Sequence, residues 1–230
     1  MSSLYDIAWL LNVRGGDISY VPVVLSYLAL SQDSCIWFLQ EEVVTEALKA
    51  YLDKNGIQTR PYDDFYEYVK HIDEKETVLL NTSVVNYRVC NSLPKGVKVI
   101  DAEDPTVVMK AVKNKVQLEN LRKAHLKDAV AMCRFMYWLK TNIGKIPMTE
   151  ISASDYLASL RAEQEGFLDL SFATICGYAD HGAIVHYSAT EESDRPLKPE
   201  SFLLVDSGGH YLEGTTDITR TFALGPVTDD

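Results

Sequence analysis

The first part of the chain, from residue 7 to about residue 101, alternates short apolar runs with stretches in which apolar residues recur every three or four positions. Apolar, β-branched runs predict strands, whereas the three-to-four spacing predicts amphipathic helices. This pattern places strands at residues 7–13, 23–30, 35–39, 77–81 and 97–100, and helices at residues 41–55, 62–72 and 83–92. Such alternation predicts an α/β layer domain.

A long helix is predicted at residues 115–143, closed by Gly144. Its apolar positions advance by threes and fours, as a helix facing a core requires. This face, called here the predicted stripe, includes one histidine and consists of Leu118, Leu121, His125, Ala129, Met132, Met136, Leu139 and Ile143. We interpret His125 as a packing residue of this face and not as a metal ligand.

The hydrophobic pattern also predicts where one domain ends and the next begins. The segment 101–105 is polar, turn-prone and ends in proline, so we place a domain boundary there. After the long helix, Thr149 or Ser152 is expected to cap a second helix. Residues 167–222 are mostly strand and loop, an α+β character. We therefore expect two domains, residues 1–104 and residues 105–230.

Composition and charge narrow the functional classes. The 230 residues are 47% hydrophobic with a formal net charge of −11, which suits packed cores and disfavours nucleic acid and anionic membranes as partners. The longest apolar run near the N-terminus, residues 21–30, is about half the length that spans a bilayer. Four widely separated cysteines contain no Cys-x-x-Cys pair, which indicates reduced thiols. We expect a cytoplasmic protein.

Two aspartates near the end of the chain predict a metal site. Asp206 ends an apolar run, and Asp217 opens a β-branched run that strand propensity alone would not favour for an aspartate. Glycines punctuate the stretch between them, so the segment predicts antiparallel strands joined by tight turns. Carboxylates brought together on neighbouring strands would repel each other unless a cation lay between them.

These residues resemble a known family. The segment from Val205 to Thr221 is similar to the metal-binding segment of Xaa-Pro aminopeptidases (aminopeptidase P), which belong to the pita-bread metallopeptidases. Four further stretches resemble the same family in the same order: Asp6-Ile-Ala-Trp-Leu-Leu-Asn-Val-Arg-Gly15, Arg122-Lys-Ala-His-Leu-Lys-Asp128, Thr149-Glu-Ile-Ser-Ala153 and Gly182-Ala-Ile-Val-His-Tyr187. The resemblance implies a creatinase N-terminal-like α/β domain followed by the first half of a pita-bread α+β domain.

The resemblance also implies a chemistry. Asp206 would bind one divalent ion, Asp217 would bridge two, and His186 would be the active-site histidine. The ions would be manganese, with zinc or cobalt as alternatives. The substrate would be a peptide with proline at its second position, and the full-length parent would be a homodimer. The family's remaining metal ligands, a histidine and two glutamates, come later in sequence. We therefore expect a fragment that is inactive alone.

Departures from the family pattern leave alternatives open. Asp180-His-Gly182 stands where relatives commonly have Pro-Asn-Gly, Ala189 replaces a usual proline, and His210 replaces a usual glutamine. These changes put substrate preference in doubt more than metal binding. A proline dipeptidase or creatinase-like hydrolase is one alternative. A non-catalytic pita-bread binding module is another, although the intact Asp206, Asp217 and His186 argue against it.

Overall fold

The computed structural model describes residues 1–227. The chain divides into two compact units, Met1–Val112 and Lys113–Asp230. No helix in the described part of the chain is both long and apolar enough to cross a bilayer.

The first unit is built on two small sheets. Its elements in chain order are α1 (Leu4–Leu11), β1 (Tyr27–Leu30), β2 (Cys35–Leu39), α2 (Glu46–Lys54), β3 (Ile57–Pro61), α3 (Asp64–Lys70), β4 (Thr77–Leu80), α4 (Tyr87–Ser92), β5 (Lys98–Asp101) and α5 (Pro105–Ala111). One sheet has the order β1-β2-β3, with β1 antiparallel and β3 parallel to β2. The other pairs β4 with β5 in parallel.

The predicted strand at residues 7–13 is wrong, because residues 7–11 lie in helix α1, which ends at Leu11. Ser3 caps that helix by accepting a hydrogen bond from the backbone N–H of Asp6, and Asn12 ends it in the left-handed conformation. Its buried apolar residues, Ile7, Ala8 and Leu11, have helical spacing. A continuous apolar run this short does not distinguish a buried strand from a buried helix, and the N-cap decided the outcome.

The other differences in this unit concern element ends and two missed elements. The predicted strand at residues 23–30 is shorter, since β1 begins at Tyr27, and the predicted helix at residues 41–55 splits into a short 3₁₀ turn, Glu41–Val43, and α2. Sequence patterns missed β3 and α5 altogether. The predicted boundary falls at the first residue of α5. Within this unit, Lys110 of α5 forms an ion pair with the buried Asp6 of α1 at 2.7 Å.

The second unit combines a helix pair with two antiparallel sheets. Its elements in chain order are α6 (Lys115–Asn142), α7 (Glu150–Ala162), β6 (Phe167–Leu170), β7 (Ile175–Tyr178), β8 (Phe202–Ser207), β9 (Gly209–Tyr211), β10 (Gly214–Thr215) and β11 (Ile218–Ala223). One sheet has the order β11-β8-β7 and the other β10-β9-β6. The core lies between the helices and the first sheet, where the rings of Phe135 and Phe222 meet edge to face with centroids 5.9 Å apart.

Helix α6 has the predicted length but buries a different face. A capping box between Asn114 and Gln117 starts it. Its buried residues are Ala124, Asp128, Ala131, Met132, Phe135 and Leu139, so only Met132 and Leu139 of the predicted stripe are buried. His125 is exposed, and its interpretation as a packing residue is wrong. The predicted stripe omitted Asp128, a charged residue that burial tolerates only because it has an ion-pair partner.

That partner is Arg161 of α7, and both side chains are fully buried. The Arg161 Nε–H donates to Oδ1 of Asp128 at 2.5 Å. The hydroxyl of Tyr211 on β9 lies 3.4 Å from the same oxygen. The Asp128 carboxylate therefore connects α6, α7 and the β10-β9-β6 sheet.

Candidate metal-binding and catalytic site

Asp206 lies in the β11-β8-β7 sheet, on the face that points away from the core of the second unit. It is the fifth residue of β8, and it pairs with Thr219 on β11 and with Ile175 on β7. Side chains alternate along a strand, and the neighbouring Leu203 and Val205 are fully buried in the core. The Oδ1 atom of Asp206 is buried and has no hydrogen-bond partner among residues 1–227.

A buried carboxylate oxygen without a donor is costly, because its hydration is lost and nothing replaces it. Such an atom in a native fold calls for a ligand, an ion or a water. At Asp206 the donor set is a hard oxygen, which suits a divalent cation.

Asp217 directly precedes β11, and the strand register gives its side of the sheet. Thr219 stands opposite Asp206, and residues directly opposite each other in an antiparallel pair share a face. The alternation of β11, extended one residue past Ile218, puts Asp217 on the face of Thr219 and hence of Asp206. Such diagonal neighbours are separated by roughly 7–8 Å between backbones, a distance that two carboxylates approaching one cation can close.

A glycine sets the geometry where the two aspartate-bearing strands end. An added Cβ at Gly208 would lie 2.0 Å from the carbonyl oxygen of Thr216 and 2.4 Å from Oγ of Ser171. The Ser171 hydroxyl donates to that same carbonyl at 2.9 Å, and the Gly209 N–H donates to Oγ1 of Thr216 at 2.9 Å. Only glycine fits this close approach without displacing the backbone next to Asp217.

The hydroxyls of Thr215 and Thr216, which lie near the aspartates in sequence, contact residues of strand β9. Thr216 is buried and its hydroxyl contacts the backbone of Gly209. Oγ1 of Thr215 lies 2.8 Å from Nδ1 of His210, the residue that replaces the family's usual glutamine.

His186 lies in a tight turn on the loop that connects β7 to β8. The N–H of Tyr187 donates to the carbonyl of Ile184 at 3.2 Å, which closes the turn. His186 is exposed and has a φ of 57°, in the left-handed region. This conformation costs a non-glycine residue on the order of 1 kcal/mol, so the surrounding structure must impose it. Strained backbone of this kind is enriched at functional sites.

Within residues 1–227 no group of three or more histidine, cysteine, aspartate or glutamate side chains is arranged to hold a metal ion. Among these residues, strand register and side-chain alternation assign Asp206 and Asp217 to one face of the sheet. Cys176 lies on the core face of β7, where burial, with smaller contributions from Glu150 and Asp194, raises the pKa of its thiol to about 12. A thiol protonated at neutral pH is neither a nucleophile nor a metal ligand.

Glu150, the first residue of α7, is a buried polar residue that the sequence pattern does not reveal. Its carboxylate is fully buried and accepts hydrogen bonds from the Tyr178 N–H at 2.6 Å, from Nδ1 of His181 at 2.9 Å, from the Tyr187 hydroxyl at 2.9 Å and from the Arg195 N–H at 3.2 Å. A glutamate in the first turn of a helix is ordinary in sequence, because it complements the helix dipole there. Only its neighbours, which lie 28 to 45 residues away, show its environment.

A cavity of about 400 Å³ lies elsewhere, in the first unit, with Asn12, Arg14, Trp37 and Tyr51 among its lining residues. None of the predicted site residues lines it, so it does not carry the chemistry of the aspartate pair.

Comparison with known families assigns both parts of the chain. Residues 1–117 match the family model of the creatinase/prolidase N-terminal domain, and residues 119–230 match that of metallopeptidase family M24. The chain therefore belongs to the pita-bread metallopeptidases of family M24, with a creatinase/prolidase N-terminal domain ahead of the metallopeptidase segment. The predicted family and the predicted fold class are confirmed.

Its relatives narrow the resemblance further. A probable Xaa-Pro aminopeptidase P of Sordaria macrospora is 34% identical over 239 residues, which cover 99% of this chain and 39% of the relative. Xaa-Pro aminopeptidase 1 of Dictyostelium discoideum is 35% identical over 235 residues, which cover 99% and 36%. The chain thus spans less than two fifths of the length of these relatives.

Among solved structures, the X-prolyl aminopeptidase of Caenorhabditis elegans, described as a cytosolic enzyme with a di-nuclear active site, superposes with a TM-score of 0.93 at 30% identity. That comparison covers 98% of this chain and 38% of the other. The prolidase of Pyrococcus horikoshii superposes with a TM-score of 0.69 at 17% identity, over 99% of this chain and 60% of the other, and shows the shared fold.

Proposed function

We propose that the full-length protein containing this chain is a metal-dependent aminopeptidase that releases the N-terminal residue from peptides with proline at the second position. The observation that carries the proposal is the buried Oδ1 of Asp206, which has no partner in the described part of the chain and lies on the sheet face to which strand alternation assigns Asp217. The family match over both segments and the Xaa-Pro aminopeptidases among the relatives support it.

The residues present fit a divalent metal site as two of its ligands. Asp206 and Asp217 would hold the ions, manganese in the first place with zinc or cobalt as alternatives, since hard carboxylates suit all three. Bound ions would polarise the scissile carbonyl and lower the pKa of a water nucleophile. His186 would give or take a proton at its imidazole, as histidine does near neutral pH, and so assist departure of the prolyl nitrogen.

The setting of this activity is part of the proposal. We assign the first unit to a creatinase N-terminal-like domain and the second to the first part of the catalytic domain. The net charge of −11 and the four free cysteines support a cytoplasmic protein without nucleic acid or membrane partners. Its partner would be a second copy of the full-length chain, in a homodimer.

The test compares the 230-residue chain with the full-length protein in the presence of Mn²⁺. We expect the full-length protein to hydrolyse an Xaa-Pro-Xaa peptide and the 230-residue chain to hydrolyse little or none, because two carboxylates leave most of each ion's coordination unfilled. In the full-length protein, Asp206→Asn or Asp217→Asn should reduce bound metal, measured by elemental analysis, together with turnover. His186→Ala should lower turnover by about 10²-fold or more with bound metal unchanged.

Three results would contradict parts of the proposal. Equal turnover by the 230-residue chain would refute the ligand count. No turnover by the metal-loaded full-length protein would favour a binding module, and cleavage only of Xaa-Pro dipeptides would favour a proline dipeptidase.

A further inference from the structure

The buried carboxylate of Glu150 connects three parts of the loop that carries His186. Tyr178 is the last residue of β7, His181 follows in the 3₁₀ turn Ala179–Ala183, and Tyr187 follows His186. All three donate to this carboxylate, and so does the backbone of Arg195 farther along the same loop. We call these five residues the Glu150 network.

The side chains of the network also contact one another. Nη2 of Arg195 lies 2.9 Å from Nε2 of His181, and Arg195 forms an ion pair with Asp180. A guanidinium only donates hydrogen bonds, so Nε2 of His181 accepts and its Nδ1–H donates to Glu150. The rings of His181 and Tyr187 lie 4.4 Å apart. His181, which stands where the family usually has asparagine, is therefore part of a hydrogen-bonded network centred on the buried carboxylate of Glu150.

The Glu150 network includes residues on both sides of His186 in the chain. His181 precedes the turn in which His186 has a φ of 57°, and the N–H of Tyr187 closes that turn. Tyr187 is the next residue in the chain, and its ring is buried with its hydroxyl 2.9 Å from Oε2 of Glu150. An exposed histidine keeps a left-handed backbone only when its surroundings impose it.

We propose that Glu150 is a positioning residue for His186, acting through Tyr187 and His181. The proposal rests on the proposed function, because it assigns Glu150 to the histidine of that reaction. A network that only stabilised the fold would also be buried and hydrogen-bonded. The two roles differ in that positioning changes turnover more than substrate binding, and only while His186 is present.

The chain offers a matched pair of substitutions to separate these roles. Tyr187→Phe removes one hydroxyl from the buried carboxylate of Glu150, whereas Tyr211→Phe removes one hydroxyl from the buried carboxylate of Asp128. Both changes delete a single oxygen atom from a buried tyrosine ring. In the full-length protein with Mn²⁺, Tyr187→Phe should lower kcat by about 10- to 100-fold with KM changed less than about threefold. Tyr211→Phe should leave kcat within about twofold at a similar loss of Tm.

A double-mutant cycle then asks whether the effect passes through His186. In a His186→Ala background, Tyr187→Phe should cause no further loss of kcat, since residues that act as a unit are not additive. An additive loss, or an equal loss in Tyr187→Phe and Tyr211→Phe, would overturn the proposal. Glu150→Gln serves as a second variant. Its amide would face donors with a donor, so the loss of kcat should exceed that of Tyr187→Phe.

A readout independent of activity separates this proposal from the proposed function. The NMR measurement uses the 230-residue chain, which has five histidines. With labelled histidine their ring signals can be resolved and assigned by single substitutions. Tyr187→Phe should shift or broaden the His186 signal and leave that of the exposed His125 unchanged. An unchanged His186 signal would overturn the positioning role. A metal-loaded wild type without turnover would refute the proposed function, and the His186 signal would still decide the positioning role.

Discussion

At the scale of the residue, two positions of the candidate site have surroundings that restrict which residue they can hold. Asp206 has an oxygen that is buried with no donor among residues 1–227, and Gly208 two residues later lies too close to Thr216 for any side chain. The unpaired oxygen of Asp206 lowers the stability of the fold, and a bound cation would relieve this cost. The close approach at Gly208 fixes the chain path between the two aspartates.

Gly208→Ala should lower the free energy of unfolding by about 3 kcal/mol or more, because its Cβ would overlap a backbone oxygen and the strands would have to separate. Urea unfolding followed by circular dichroism measures this change. Gly16→Ala is the matched control, since an added Cβ there meets no atom of residues 1–227 within 4 Å. It should change stability by no more than about 0.5 kcal/mol. Similar effects of the two substitutions would contradict the close approach at Gly208.

At the scale of the element, helix α6 shows why a hydrophobic stripe is an incomplete guide. The face that the helix buries includes Asp128, whose charge is matched by Arg161 of α7, and it excludes the apolar Leu118 and Met136. A buried charge is retained when its partner is close, and removing one partner leaves the other without compensation.

Asp128→Ala should therefore destabilise the chain by about 3–5 kcal/mol, because Arg161 would remain buried without a counter-charge. Nη1 of Arg161 already has no partner in the described part of the chain. Replacing both residues, Asp128→Leu with Arg161→Met, should recover much of that loss. Glu163→Ala breaks the exposed pair with Arg134, whose side chains are 54% and 48% accessible, and should cost less than about 1 kcal/mol. Urea midpoints rank the variants, and equal losses would contradict the buried pair.

At the scale of the whole molecule, the chain comprises two units, each with its own core. Two clusters of buried apolar residues lie within the first unit, and one lies within the second. The first unit ends after α5, which contributes the Lys110 ion pair to the buried Asp6.

A fragment of residues 1–112 should therefore fold alone and be more stable than a fragment of residues 1–104. The shorter fragment lacks α5, so Asp6 would lose its ion pair with Lys110 and α1 would lose its packing against α5, at a cost of about 2–3 kcal/mol. Urea unfolding compares the two, and amide NMR spectra show whether the longer fragment keeps the signals that it has in the full chain. Equal stability would place the boundary at Asp104–Pro105, as the sequence pattern predicts.

Much of the fold followed from local sequence. The alternating pattern predicted β2, β4 and β5 to within about a residue at each end, and the helical spacing together with Gly144 predicted the length of α6. Errors arose where two structures satisfy the same local pattern. Residues 7–13 are apolar enough for a strand or a helix, and the cap at Ser3 favoured the helix.

The sequence by itself determined the family, the class of fold and the candidate residues Asp206, Asp217 and His186, because these depend on residue types at fixed short spacings. Only the tertiary structure decided which face of α6 is buried, which strands pair on either side of Asp206, and that Glu150 is surrounded by donors from a distant loop. Local periodicity predicts an amphipathic element, but it does not determine which of its residues are buried or what they pack against. The partners of Glu150 and Asp128 lie 28 to 83 residues away, and chain topology alone brings them together.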